Sequence, residues 1–378
     1  MLDYESLRIA WWILLGFLLA GFAVADGYDL GLAALLRVLA RDDGERRALL
    51  ETIEPVWEGN QVWLVVGAGS IFAAWPLLYA AAFSGFYFAM LAALLALIVR
   101  PLGFNFRNKF SDRRWRDVWD WALVASGVLP ALVFGIAFGN LFLGVPLRYD
   151  AMFRSIPEGT PGQLLHPFAL LSGALCVVLF MMHGATWAVV KADGVLLQRA
   201  RRLLWVLAPA FVALYALAGL WLWYGVPSLL LEDPGALAAA PSNPLLKTVV
   251  AGGGWLRSGP LAAWAWLAAA LAVASGLALP VLARLREPLP AFVASAIAVA
   301  GTVASAGLAL FPFLLPSSVD PASSLTVWDA SSSRGTLQLM LIVLVVFIPV
   351  IAGYTAWVLR VLRGRVSIEE VRRSHGRY

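Results

Sequence analysis

Charge is scarce in this 378-residue sequence. Asp, Glu, Lys and Arg make up 13% of it and hydrophobic residues 61%, whereas a soluble domain carries about 25% charged and roughly 45–50% apolar residues. So few charges cannot cover a water-facing surface of this size, which excludes a soluble globular enzyme, a disordered chain and a coiled coil. Mean hydropathy is +0.81. Cysteine is nearly absent: Cys176 alone excludes an intramolecular disulfide and a thiolate metal cluster, and its apolar surroundings make it a small packing residue. Histidine is almost as rare, at His166, His183 and His375. No phosphate-binding glycine loop is present, because Gly252-Gly253-Gly254 follows no predicted strand and lacks a partner lysine motif. A net charge of +5 is not read as a nucleic-acid signal, since the positions of the charges carry more information than their sum.

What the sequence has in abundance is long apolar runs. A helix needs about 20 residues to cross the hydrocarbon layer. Nine such runs are predicted, at 9–35, 56–76, 78–99, 118–143, 165–190, 203–225, 260–283, 289–312 and 336–360. The runs are continuous rather than alternating, which excludes a β-barrel. Ala23-Val24-Ala25 resembles a signal-peptidase site, but Asp3 and Glu5 against Arg8 give no positive n-region, so the first span is read as retained.

Basic residues fall on alternate loops. Arg8, Arg148, Arg154, Lys247, Arg257 and Arg334 lie on one side of a nine-span alternation, and the other 22 of the 28 lie on the opposite side. The positive-inside rule then predicts the N-terminus outside and the C-terminus in the cytoplasm. Trp11, Trp12, Trp75, Trp221, Trp223 and Trp328 fall near predicted outer ends, and Trp57, Trp115, Trp119, Trp205 and Trp357 near inner ends, as an aromatic belt requires. The expected fold is a single all-α membrane domain over 1–378: a first four-helix bundle at 9–143, a second at 165–312, and a ninth, peripheral helix at 336–360. Loops 226–259 and 313–335 are expected to carry short re-entrant or interfacial helices on the outer side. Ser331-Ser332-Ser333 is expected to cap the last span.

An ionisable residue inside a span is a functional candidate by default. Asp26 and Asp29, three apart, share a helix face in the inner half of the first span. Glu58 begins the second span in Trp57-Glu58-Gly59-Asn60-Gln61-Val62-Trp63, beside the amides Asn60 and Gln61. Asp117 and Asp120 begin the fourth, and His183 lies in the inner half of the fifth. All sit toward the cytoplasmic side, as a proton-uptake route requires. The competing reading is that these acids cap helix starts or pair with nearby arginines. That reading is preferred for Asp117 and Asp120, beside Arg113, Arg114 and Arg116, and it stays open for Glu58, Asp26 and Asp29. Haem iron needs His, Met, Cys or Tyr ligands. With so few histidines no axial set is expected in this chain, and His183 is read as a hydrogen-bonded structural residue.

Specific stretches carry a resemblance. Asp3-Tyr4-Glu5 with Trp11-Trp12, Gly21-Phe22-Ala23-Val24 with Asp26-Gly27-Tyr28-Asp29, and the Trp57–Trp63 run are similar to subunit II of the cytochrome bd ubiquinol oxidases. So are Phe72-Ala73-Ala74-Trp75-Pro76, the 79–87 segment, Arg100-Pro101, Trp119-Asp120-Trp121, Ala137-Phe138-Gly139-Asn140, Phe311-Pro312-Phe313, Pro316-Ser317-Ser318 and the 324–332 segment. The resemblance implies a partner in a quinol:dioxygen oxidoreductase of the aerobic respiratory chain, in the bacterial inner membrane. It implies a pseudo-symmetric heterodimer with subunit I, which would hold two b-type haems and one d-type haem and oxidise quinol. This chain would bind no haem and would contribute to proton uptake through the acid of the Trp57-Glu58-Gly59 motif, where many relatives have aspartate. Some members also hold a structural quinone in this subunit or bind small single-helix subunits. The alternative class is a proton-coupled secondary transporter, which the one-sided placement of the acids argues against.

Overall fold

The computed structural model describes residues 3–369 and 371. Arg372, Arg373 and Arg377, three of the 22 basic residues expected on the cytoplasmic side, and His375 lie outside the described residues. Among the described residues, eight helices are long and apolar enough to span a membrane, and nine if one strongly bent pair counts as a span. The first span is α1 (Tyr4–Ala25) continued by α2 (Gly27–Ala34) across a break at Asp26. Asp3 caps it by accepting from the Ser6 amide at 2.7 Å. Short helices α3 (Leu36–Leu39) and α4 (Asp43–Leu50) follow at the arginine-rich end.

The second and third spans differ from the sequence expectation. Helix α5 (Trp57–Ala74) ends at Trp75, and α6 (Pro76–Gly85) leaves it at 120°. Pro76 lacks the N–H that would continue the ladder and is suited to the first turn of a new helix. The third span is therefore α7 (Tyr87–Phe106), not 78–99. Hydropathy cannot register the bend, because α6 is as apolar as its neighbours. The remaining spans are α8 (Arg113–Leu143), α9 (Pro167–Lys191), α10 (Gly194–Gly225), α13 (Ala262–Leu282), α14 (Leu289–Leu310) and α15 (Arg334–Val361). Helix α10 starts at 194 rather than 203, carrying Arg199, Arg201 and Arg202 on helical backbone past the apolar segment. Ser333 caps α15 by accepting from the Thr336 amide, as expected.

The loops at the end away from the arginines hold the short helices α11 (Pro234–Ala239) and α12 (Trp255–Ser258). They also hold three small antiparallel sheets that the sequence reading missed: β1 (Leu147–Tyr149) with β2 (Ser155–Pro157), β3 (Ser228–Leu231) with β4 (Val249–Gly252), and β5 (Phe313–Leu315) with β6 (Leu325–Thr326). Two to four residues a strand leave no periodicity to read.

Small residues set the helix spacing. A Cβ on Gly31 would lie 1.7 Å from the Phe180 carbonyl oxygen, and one on Gly184 would lie 2.3 Å from the Leu32 amide nitrogen. Helices α2 and α9 thus touch backbone to backbone, the close approach that small residues permit in membrane bundles. Gly135 on α8 and Gly173 on α9 pack in the same way, so α9 holds both α2 and α8. Of α15, only Leu337 is buried.

Candidate functional site

The break in the first span fixes the site. Asp26 occupies the junction of α1 and α2 and is fully buried. Arg100, on α7, is also fully buried and grips it, with Nη1 2.5 Å from Oδ1 and Nη2 3.3 Å from Oδ2. A guanidinium suits this two-pronged contact. Asp29, one turn further along α2, forms no ion pair among the described residues. Its Oδ2 accepts from Asn60 Nδ2 at 2.8 Å, and its buried Oδ1 has no hydrogen-bond partner. The same Nδ2 lies 2.6 Å from the Tyr28 hydroxyl. The Tyr28 ring is held by stacking on Trp187, with centroids 4.1 Å apart, and by edge contacts with His183 and Phe292.

His183 is hydrogen-bonded through both ring nitrogens, Nδ1 to Ser295 Oγ at 2.8 Å and Nε2 to the Val24 carbonyl at 2.9 Å. A carbonyl only accepts, so Nε2 carries the proton. His183 therefore ties α9 to α14 and to the end of α1 just before the break. His166 caps α9, its Nδ1 accepting from the Phe168 amide. Both His183 nitrogens are thus taken by protein partners, and among the described residues no three His, Cys, Asp or Glu side chains gather as a metal site.

Nearer the arginine-rich end, Asp120 is fully buried between Arg107 Nε at 2.6 Å and Arg46 Nη1 at 2.8 Å. Asp117 pairs with Arg37 at 3.0 Å, and Asp43 with Arg107 and Arg116. The pairing expected for Asp117 and Asp120 is present, but Arg37, Arg46 and Arg107 supply it rather than Arg113, Arg114 or Arg116. On α4, Glu45 accepts from Arg199 Nη1 and from the Arg41 amide, both at 2.6 Å. Burial opposes its ionisation, yet those bonds hold its carboxyl below the usual range.

The residues of the Trp57–Trp63 run separate. Asn60 turns inward to Asp29, whereas Glu58 is exposed and Gln61 half-buried. Glu58 shares its exposed face with Val62, Val65 and Phe72. Arg100 and Tyr28 join this site without having been among the sequence candidates. The apolar run 78–99 leaves Arg100 in a predicted loop, whereas α7, starting at Tyr87, holds the arginine inside the helix.

The opposite end is held differently. Fully buried Arg8 donates to Ser331 Oγ, Ser242 Oγ and the carbonyls of Ala238 and Ala240. Lys247 and Asp329 form a buried pair at 3.0 Å. A cavity of about 450 Å³ lies at the same end, walled by Leu229, Pro234, Trp255, Phe311 and Trp328, with Glu5 among its polar edges.

The sequence pattern of the cytochrome bd terminal oxidase subunit II family matches residues 7–362. The chain is 44% identical over 375 residues to cytochrome bd-I ubiquinol oxidase subunit 2 of Escherichia coli strain K12, covering 99% of each. It is 31% identical over 366 residues to cytochrome bd ubiquinol oxidase subunit 2 of Bacillus subtilis, covering 97% of this chain and 98% of the relative. The solved structure of bd oxidase from Geobacillus thermodenitrificans aligns with a TM-score of 0.67 at 12% identity, over 96% of this chain and 100% of that one, which supports the fold. On these matches the chain belongs to the cytochrome bd terminal oxidase subunit II family.

Proposed function

We propose that this chain is the haem-free subunit of a bd-type quinol:dioxygen oxidoreductase in the bacterial inner membrane. It pairs with a haem-bearing subunit I and carries part of the route by which cytoplasmic protons reach the site of dioxygen reduction. The N-terminus faces outward and the arginine-rich end faces the cytoplasm, by the positive-inside rule. The first eight spans form two four-helix bundles joined where α9 meets α2 and α8, with α15 at the periphery. Protons taken from the cytoplasm and quinol protons released outside move charge across the membrane without a pump, each charge working against about 2.3 kcal/mol per 100 mV.

One observation carries the proton reading: Asp29 is a fully buried carboxyl with no ion-pair partner among the described residues, beside an Asp26 whose charge Arg100 already answers. A charge left unpaired in a dry interior is costly, and a carboxyl there can hold and release a proton. Of the candidates Glu58, Asp26, Asp29, Asn60, Gln61 and Asp120, we assign proton carrying to Asp29 and Glu58 and polar support to Asn60 and Gln61. Asp26 and Asp120, gripped by arginines, fix the walls. Glu58 lies on an exposed face of α5, so a relay that includes it continues out of this chain toward subunit I. For the structural quinone that some members hold, we point to the apolar cavity beside Trp255 and Trp328. The test is oxygen consumption per mole of d-type haem in the assembled complex. Asp29→Asn should slow it at least about tenfold, as for a lost proton-transfer group; unchanged turnover per haem would remove Asp29 from the route.

A further inference from the structure

Asn60 bridges two partners with one atom. Its Nδ2 is 2.6 Å from the Tyr28 hydroxyl and 2.8 Å from Asp29 Oδ2, and all three residues are at most 2% exposed. With the amide in this orientation, NH2 gives one hydrogen to an ionised Asp29 and one to the phenol oxygen. The phenol's own hydrogen then has no acceptor among the described residues. A half-turn about the last side-chain torsion puts Oδ1 in the place of Nδ2. The oxygen can accept two hydrogen bonds, one from Tyr28 O–H and one from a protonated Asp29, with no heavy atom outside the amide displaced. The Tyr28 ring is clamped by Trp187, His183 and Phe292, so only its hydroxyl hydrogen has to turn.

We infer that Asn60 is a positioning residue whose amide reverses as Asp29 gains and loses its proton, keeping that carboxyl hydrogen-bonded in both states. This rests on the reading of Asp29 as a proton carrier. The reversal moves no electrons and breaks no covalent bond. The proton arrives at and leaves Asp29, while Asn60 and Tyr28 exchange donor and acceptor roles. The close neighbours are fixed charges or neutral groups: Asp26 is held by Arg100, and both His183 nitrogens are occupied.

The test uses the whole complex with subunit I. Infrared difference spectra, reduced minus oxidised, should contain a protonated-carboxyl C=O band that disappears in Asp29→Asn. In Asn60→Leu that band should move to higher wavenumber, and turnover per d-type haem should fall about tenfold, the scale of one lost charge-assisted hydrogen bond. An unmoved band with normal turnover in Asn60→Leu would overturn the amide role while leaving the Asp29 route standing. Normal turnover in Asp29→Asn would remove the route and the amide role together. Should Asn60→Leu fail to assemble, isotope-labelled asparagine in the wild-type complex decides. Label-sensitive side-chain amide bands that are lost in Asp29→Asn support the reversal, and their absence from the wild-type spectrum overturns it.

Discussion

Arg100 and Asp26 meet with both side chains fully buried, two guanidinium nitrogens facing two carboxylate oxygens. The contact joins α7 to the break in the first span. Removing one partner of such a pair leaves an uncompensated charge and costs about 3–5 kcal/mol, whereas replacing both with apolar residues can be nearly neutral. Asp26→Asn and Arg100→Leu should each sharply lower the thermal midpoint of the purified complex, followed by haem absorbance. The double variant Asp26→Leu with Arg100→Met should recover most of the loss. A wild-type midpoint in either single variant would mean that the pair does not hold α7.

Helix α5 has Val56 at its N-cap and no side-chain cap hydrogen bond, so the structure gives Glu58 no cap role, and the relay is tested by substitution. Glutamine keeps the volume and hydrogen bonding of Glu58 but carries no proton. Glu58→Gln should slow oxygen consumption per mole of d-type haem while haem content stays normal, and Glu58→Asp should retain most activity. Unchanged turnover per haem in Glu58→Gln would remove Glu58 from the relay.

The contact of Gly31 with Phe180 allows no added atom. Gly31→Ala should force α2 from α9 and reduce the yield of assembled complex, at or beyond the roughly 1–3 kcal/mol typical of overpacking. Gly16→Ala and Gly219→Ala, where a Cβ meets nothing within 4 Å, should assemble as wild type. Equal yields from all three would contradict the backbone contact.

Glu45 gives an acid-side dependence. Its folded carboxyl titrates below its ordinary value of 4.5, against the pull of burial, because Arg199 and the Arg41 amide bond to the ionised form. The resulting stability is fully present above 4.5 and is lost as pH falls through the lower, folded value. Thermal midpoints of wild type and Glu45→Gln should therefore differ near neutrality and converge as pH drops below 4.5. A constant difference across that range would rule out the linkage.

Topology is checked with reporter fusions. Fusions at Arg113 should report the cytoplasm and fusions near Pro241 the outside. A cytoplasmic signal at Pro241 would undo the nine-span alternation.

Much of this protein is legible in its sequence. Composition alone requires lipid as solvent, because 13% charge cannot dress the surface. Nine apolar runs and the one-sided arginines follow from what a bilayer demands of each segment by itself. These are properties of single segments, and a segment's hydropathy does not depend on its neighbours. The motifs from Asp3 to Ser332 likewise carried the family, since they are local words in the chain. What only the tertiary structure decided is which polar groups meet. Asn60 and Glu58 are two residues apart, about 200° around a helix, so one turns to Asp29 and the other leaves the chain's interior. Arg100 reads as a loop cation until the 120° bend at Trp75-Pro76 moves the next span along and buries it against Asp26. Burial and pairing are relations between segments distant in sequence, and the close glycine contacts among α2, α8 and α9 set them.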